Sequence, residues 1–550
     1  MNEKYLLGVR VYFVLAIILI SASMFAGSFL FKSIIYDGQE TAKNFVAYLI
    51  SLKDYLDNKL QSDSKKTLAA GVSEIWHEQT ESDSAYAGGK SKSMMVLLYH
   101  GITPKADRFN TTEEKFKEHM FALKAAGYQT VTLEEFYEFV TGRREAGEKE
   151  FLLTFDDGRY DSYAGADPVL KTLGYSAVMY VTARDSLNPA VEPGKKSFYL
   201  NLRQIKKMLS SGRWEIGSHA IQEYGGYIPI DERGGLGNFL SNKMWLEEEG
   251  RVETDEEYIE RVRKEIVDSK LMLEKALGTE IASFSYPLDD YGHQTLNYAT
   301  STEIIETFVR GDYKMAFKQA WPEDVNFSSN YSGEDMVHLR RIESGTDWTG
   351  EYLIAFMEEA RANTLPHEEE FHPIGGWKRT WGKMNISNGV LNMWAVDTTA
   401  GSFVFMDGTR AWDNYMYSVI ADWKKGSHLS LVARFQDEDN YAYCTFSDSE
   451  IKIEEKIDGE ISKLTVVKNN VDLPMSGVSL GMMVDEDKVK CYAGAVVAVE
   501  ARGLSRELSS GGIAIRVWDA ELNNADVSVK WLKAVPVNDE LALLSALPVY

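Results

Sequence analysis

Two hydrophobic patterns divide the chain. Between about residues 94 and 362, short apolar runs alternate with stretches whose apolar residues recur at helical spacing. Met94–Tyr99, Phe151–Phe155, Ala177–Val181 and Ile281–Tyr286 read as buried strands. Between them, Phe116, Met120 and Leu123 share one helical face, as do Phe136, Phe139 and Val140, and Ile259, Val262, Ile266 and Leu273. Thr111 with Glu114, Thr132 with Glu135, and Thr254 with Glu257 mark helix starts, and Gly127, Gly174 and Gly278 mark helix ends. Strands alternating with helices predict a parallel sheet or distorted (β/α) barrel, whose chemistry sits at the carboxyl ends of the strands. From about residue 376 the pattern changes to period two. Phe403–Met406, Tyr415–Ile420, Leu429–Phe435, Tyr441–Phe446 and Val496–Glu500, separated by Asp-Gly and Gly-Gly turns, predict an all-β sandwich.

The N-terminal pattern differs from both. Val11 to Phe31 is 21 residues without a charge, about 30 Å as a helix, which matches a hydrocarbon core. An uncleaved single-pass anchor is expected over its rival, a cleaved signal peptide, for which Ser21-Ala22-Ser23-Met24-Phe25-Ala26 offers only a poor site; either way the rest of the chain is expected outside the cytoplasm of a bacterial-type cell. Phe45, Leu49, Leu52, Tyr55, Leu56 and Leu60 suggest a juxtamembrane helix, followed by a Gly/Ser/Lys linker. The expected division is therefore an anchor over 1–35, a helix and linker over 36–93, a barrel over 94–362, a linker over 363–375 and a sandwich over 376–550.

The net charge of −24 disfavours nucleic acid as a partner and suits a neutral or cationic substrate. With only Cys444 and Cys491 there is no cysteine metal cluster. A single bridge in an oxidising compartment and two buried thiols both remain open.

Candidate chemistry gathers at three strand ends. Thr154-Phe155-Asp156-Asp157-Gly158 ends a strand in adjacent carboxylates, whose side chains point different ways and can take different roles. Glu215-Ile216-Gly217-Ser218-His219 ends another, with Glu223 four residues on; Phe284-Ser285-Tyr286-Pro287 ends a third, with His293 beyond it. No G-x-S-x-G elbow competes with these.

Together with Leu98-Tyr99-His100-Gly101-Ile102, these motifs resemble the polysaccharide deacetylases of the NodB-homology class, the family-four carbohydrate esterases. The resemblance covers roughly residues 94–362. It implies metal-dependent removal of N-acetyl groups from a β-linked aminosugar polymer. It makes Asp156 the general base, and Asp157 and His219 ligands of a divalent metal: zinc first, with cobalt, nickel or iron as alternatives. The family's second histidine ligand stands here as Glu223, a carboxylate that such metals accept, though it would make the metal a weaker Lewis acid. The family's base-orienting arginine has no counterpart at Ser285-Tyr286. His338, in Val337-His338-Leu339-Arg340-Arg341-Ile342, and His293 are the candidates for the general acid. His100 is expected to line the pocket. A backbone N–H near Tyr160 is a candidate oxyanion donor.

Tyr224, Tyr227 and Trp245 lie on a long glycine-rich segment that is expected to border the cleft. Trp394, Trp412, Trp423 and Trp518 are candidate sugar contacts in the sandwich, which resembles a concanavalin-type jelly roll. The partners expected are a polysaccharide, the membrane and exopolysaccharide synthesis machinery. The alternative is a non-catalytic glycan-binding or scaffold protein on a degenerate deacetylase fold.

Overall fold

The computed structural model describes residues 89–187, 197–322, 326–372 and 376–538. The expected anchor and juxtamembrane helix lie outside these residues. Among the described residues, no helix is long and apolar enough to cross a membrane.

Seven parallel strands close into a barrel: β1 (Ser93–Tyr99), β2 (Glu150–Phe155), β3 (Ala177–Val181), β4 (Trp214–Ser218), β5 (Ser283–Ser285), β6 (Met315–Ala320) and β7 (Leu339–Glu343). Closure comes from β1, which pairs with β2 on one side and β7 on the other. Such strands are buried on both faces, which explains their near-continuous apolar runs. One set of alternate residues (Met94, Val96, Leu152, Val178, Tyr180, Met315, Phe317 and Leu339) forms a single buried cluster, onto which the helix Leu133–Val140 packs Phe136 and Phe139. The opposite set, including Met95, Leu97, Phe151 and Leu153, packs against the outer helices.

The caps follow the sequence with one shift. Thr132 with Glu135 and Thr254 with Glu257 form capping boxes, and Gly174 and Gly278 end their helices in the left-handed region. The first outer helix, Glu113–Ala125, is capped by Thr112 rather than Thr111. Thr111 is buried and paired with Ile102 in a short strand, so its neighbour takes the cap.

The C-terminal region is a two-sheet antiparallel sandwich with eight strands in one sheet and seven in the other among the described residues. The Cys444–Cys491 disulfide joins Asn440–Phe446 of one sheet to Lys488–Ala493 of the other. Of the stretch expected to be a linker, His367–Glu369 pairs with Asp526–Pro536 as a sandwich strand. Trp412 and Trp423 are sandwich core rather than sugar contacts, whereas Trp394 and Trp518 are half-buried. Barrel and sandwich meet where Phe327 and Tyr331 pack against Phe403, Phe405 and Phe435. There, buried Asp407 accepts bonds from the backbone N–H (3.2 Å) and hydroxyl (2.9 Å) of Ser328.

Candidate active site

The period of two that builds the barrel's apolar layer also builds the site. Continuing the same face toward the carboxyl ends adds His100 after Val96, Asp156 after Leu152, and Ser285 on β5. It also adds Gln319 after Phe317, and Arg341 and Glu343 after Leu339. The floor is thus apolar and the rim polar. A cleft of about 640 Å³ opens there, with His100, Asp156, Asp157, His219, Asp289 and His293 among its lining residues.

Asp156 is 2% exposed and held by a fork: Arg341 donates Nη1 to Oδ1 at 2.5 Å and Nη2 to Oδ2 at 2.7 Å. The Ser285 hydroxyl lies 3.3 Å from Oδ2 and accepts from Arg341 Nη2 at 2.6 Å. Burial alone would push the Asp156 carboxyl up. Arg341, by its charge and its paired hydrogen bonds, outweighs it with help from the charged His100 and holds the carboxyl well below the ordinary range. The Asp156 carboxyl is therefore ionised in the folded protein. The resemblance expects an arginine beside this carboxylate and finds none at Ser285-Tyr286; Arg341, from β7, stands there instead.

Asp157 leaves the strand at φ 68°, left-handed for a non-glycine residue, and this turn sends the two neighbouring carboxylates apart. Ala220, Gln222, Leu288 and Asp289 also have positive φ, all on loops following β4 or β5. Backbone strain in the described barrel is thus concentrated at the cleft, as at many functional sites. His219 Nδ1 meets the Ser285 carbonyl at 3.0 Å, so that nitrogen carries the proton. Nε2 is left with its lone pair 3.6 Å from Asp157 Oδ1. A carboxylate oxygen beside an imidazole nitrogen whose other nitrogen donates to a carbonyl suits a divalent metal.

The third expected ligand is not brought to this pair. Glu223 is exposed and off the cleft wall; its N–H donates to Glu265 Oε1 at 3.1 Å and its carbonyl accepts from Arg184. Among the described residues no group of three His, Cys, Asp or Glu side chains is close enough to hold a metal. Asp157 and His219 could supply two donors to a divalent metal, and among the described residues no third His, Cys, Asp or Glu side chain stands with them.

His100 has a larger part than lining the pocket. Its Nδ1 lies 3.1 Å from Glu343 Oε1, and Gln319 donates to Oε2 of that buried carboxylate at 3.0 Å. Burial opposes the charged imidazole, but Glu343 and then Asp157 and Asp156 outweigh it, pushing His100 up to about 9. The cleft thus holds a protonated imidazole near a deprotonated carboxylate.

His338 is corrected by strand parity. It precedes Leu339, so it faces away from the side that carries Arg341 and Glu343. Its Nε2 lies 2.9 Å from Glu306, and its ring packs 4.9 Å from Tyr291. It is not on the cleft wall, whereas His293 is, stacked on Tyr291 at 4.0 Å. Burial lowers the His293 imidazole below its ordinary value, which makes it a weaker source of protons than His100 at neutral pH. The Tyr160 N–H is spent on the Phe198 carbonyl at 2.8 Å and is not an oxyanion donor. Tyr227 stands exposed on the wall; Tyr224 and Trp245 do not line it. Asp289 was not singled out from the sequence: burial pushes its carboxyl up to about 7, although the Gln319 N–H donates to it at 2.8 Å.

The family model for polysaccharide deacetylase matches residues 143–305. YxkH of Bacillus subtilis, which bears the polysaccharide deacetylase name, is 27% identical over 215 residues, 39% of this chain and 63% of its own. The poly-beta-1,6-N-acetyl-D-glucosamine N-deacetylase of Escherichia coli is 26% identical over 183 residues, 32% of this chain and 27% of its own. The chain therefore spans less than two thirds of either relative. A de-N-acetylase structure from Aggregatibacter actinomycetemcomitans aligns over 46% of this chain and 96% of its own, at 19% identity and a TM-score of 0.39. The family match and these relatives support a polysaccharide deacetylase domain within the barrel. That domain class comprises hydrolases acting on the C–N bond of N-acetyl groups.

Proposed function

We propose that this chain is a metal-dependent N-deacetylase of an aminosugar polysaccharide. The observation that carries the reading is the forked Asp156–Arg341 pair set between the Asp157–His219 pair and the protonated His100. A divalent metal held by Asp157 and His219 would polarise the acetamide carbonyl and lower the pKa of water. Asp156 takes the proton of the attacking water as the new C–O bond forms. Arg341 and Ser285 keep its oxygens aimed during that transfer. His100 gives its proton to the sugar nitrogen as the C–N bond breaks, releasing acetate and a free amine. Glu343 then faces a neutral imidazole and favours its reprotonation.

The pH dependence follows from these signs. His100 is the proton donor only below about 9, so the rate is expected to fall as pH rises through that value. His100→Asn should cost roughly 100-fold or more in kcat and erase that alkaline limb, leaving any titration of Asp289 near neutrality in place. A pH–rate profile of both proteins checks this; an unchanged limb would assign the acid elsewhere.

Metal content provides the direct test. The parent is expected to hold one divalent ion after loading with zinc, cobalt or nickel, and Asp157→Ala and His219→Ala each to lose it. Acetate release from acetylated aminosugar oligomers should disappear in parallel. The exposed position of Glu223 favours a second reading, a glycan-binding protein on a degenerate site. A parent that takes up no metal and releases no acetate, yet binds the oligomers, would establish that one.

The reading extends to place. The uncharged Val11–Phe31 stretch and the Cys444–Cys491 bridge support an extracytoplasmic domain tethered to the membrane, beside machinery that makes an exopolysaccharide.

A further inference from the structure

Glu223 is turned out of the cleft, but its neighbour is not. Gln222 lines the same cleft as Asp157 and His219. Its backbone sits at φ 59°, in the left-handed region that a glutamine rarely adopts, and Ala220 at 61° precedes it. Such strain persists only where the surroundings impose it. Here the imposing residue is Glu265, 2% exposed, on the π-helical turn Lys264–Asp268. Its Oε2 accepts the Gln222 N–H at 2.7 Å, its Oε1 the Glu223 N–H at 3.1 Å, and its carbonyl the Ile221 N–H at 3.2 Å. A single π turn inside an α-helix frequently marks a functional site. These three bonds fix the loop after His219 with side chain 222, rather than 223, on the cleft wall.

The amide is oriented as well. Gln222 Nε2 donates to the His219 carbonyl at 3.3 Å, so that end of the amide is the nitrogen. The other end, Oε1, accepts no bond among the described residues. The remaining amides of the wall are committed elsewhere. Asn110 Oδ1 accepts from the Gly101 N–H at 3.0 Å, and Gln294 Oε1 accepts from Asn238 at 2.6 Å. Gln319 stands on β6 and donates to Glu343 and Asp289.

A catalytic divalent site characteristically takes three protein donors and leaves its other positions to water and substrate. Asp157 and His219 account for two. An amide carbonyl oxygen is a neutral, hard donor that divalent cations accept. A dication held by one carboxylate, one imidazole and one amide keeps a net positive charge; a second carboxylate would cancel it. The amide therefore leaves the stronger Lewis acid.

We propose that Gln222 Oε1 is the third protein donor to the metal, with Glu265 as the residue that positions it. The proposal rests on the metal-dependent reading of the site.

The test uses the full chain stripped of metal and titrated with cobalt(II), a probe whose visible spectrum reports its donors. Affinity is measured by competition with a chromophoric chelator in the parent, Gln222→Gly, Gln222→Glu and Glu223→Ala. Glycine takes a positive φ without strain, so Gln222→Gly removes the amide and keeps the turn; its metal-free melting temperature is expected not to fall. Its cobalt affinity is expected to drop about tenfold or more, with a changed visible spectrum, since even a ligand's supporting partner is worth that much. Gln222→Glu keeps an oxygen at the same place and should bind at least as tightly as the parent. Glu223→Ala keeps the backbone N–H that Glu265 holds and should match the parent in affinity and spectrum. Equal affinity and spectrum in the parent and Gln222→Gly would overturn the assignment and leave the metal reading standing. So would weakened binding in Glu223→Ala, which would return that carboxylate to the site. A parent that takes up no cobalt would sink the metal reading and this proposal with it.

Discussion

Asp156→Asn is expected to lower kcat for acetate release by roughly a thousandfold or more, within the range by which positioned acid–base groups act. The amide cannot take the proton of water, and no other carboxylate on the cleft wall is placed to replace it. Asp157 is turned away at φ 68° toward His219, and Asp289 stands on the β5 loop. The substitution also leaves Arg341, with none of its surface exposed, beside a neutral partner. Some loss of stability should accompany the loss of rate. Near-ultraviolet dichroism and metal content, both expected to be retained, separate the two. A variant that keeps its rate would remove Asp156 from the mechanism.

Arg341→Met should produce the largest change in stability of any single substitution at the site. Breaking a buried ion pair by removing one partner costs on the order of 3–5 kcal/mol, because the remaining charge is left without compensation. Urea unfolding near neutral pH measures it.

The pH dependence of stability gives a second signature. The folded carboxyl of Asp156 is depressed below its unfolded value, near 4. Its contribution is fully present above that value and is lost as pH falls. In Arg341→Met the depression relaxes, because burial then dominates, and the stability lost on acidification should shrink. Activity should fall as well, since the base loses the fork that aims it. Unchanged acid sensitivity would mean that the pair is not the linked group. The reverse comparison is informative too: His100 is raised in the fold, so its contribution is present below about 6.5 and is lost as pH rises through about 9.

Other features of the cleft follow from this arrangement. The pair that would hold the metal is completed by no third His, Cys, Asp or Glu side chain among the described residues. Metal affinity is therefore expected to depend strongly on the His219 tautomer set by the Ser285 carbonyl. Ser285 serves both halves of the site: its carbonyl orients His219, and its hydroxyl sits between Arg341 and Asp156. That shared role accounts for a small hydroxyl residue at the end of β5, where a larger side chain would intrude on the fork.

What the sequence determined by itself was whatever depends on neighbours along the chain. Apolar runs and caps placed the strands and helices of the barrel. Period-two stretches placed the sandwich. The motifs at strand ends placed Asp156, Asp157 and His219 on one rim. Only the tertiary structure decided which distant groups meet them. Arg341 lies 185 residues from Asp156, and Glu343 lies 243 from His100. Closure of β7 onto β1 brings both into register with the rim. In the sequence they sit beside His338, and strand parity, which needs the register, turns His338 outward and Arg341 inward. Glu223 failed for the opposite reason. Four-residue spacing brings side chains together on a helix, but the chain after His219 turns through left-handed Ala220 and Gln222 instead. Local pattern decides what an element is. Which of its faces meets which partner is a property of the closed barrel, where long-range pairing fixes every register at once.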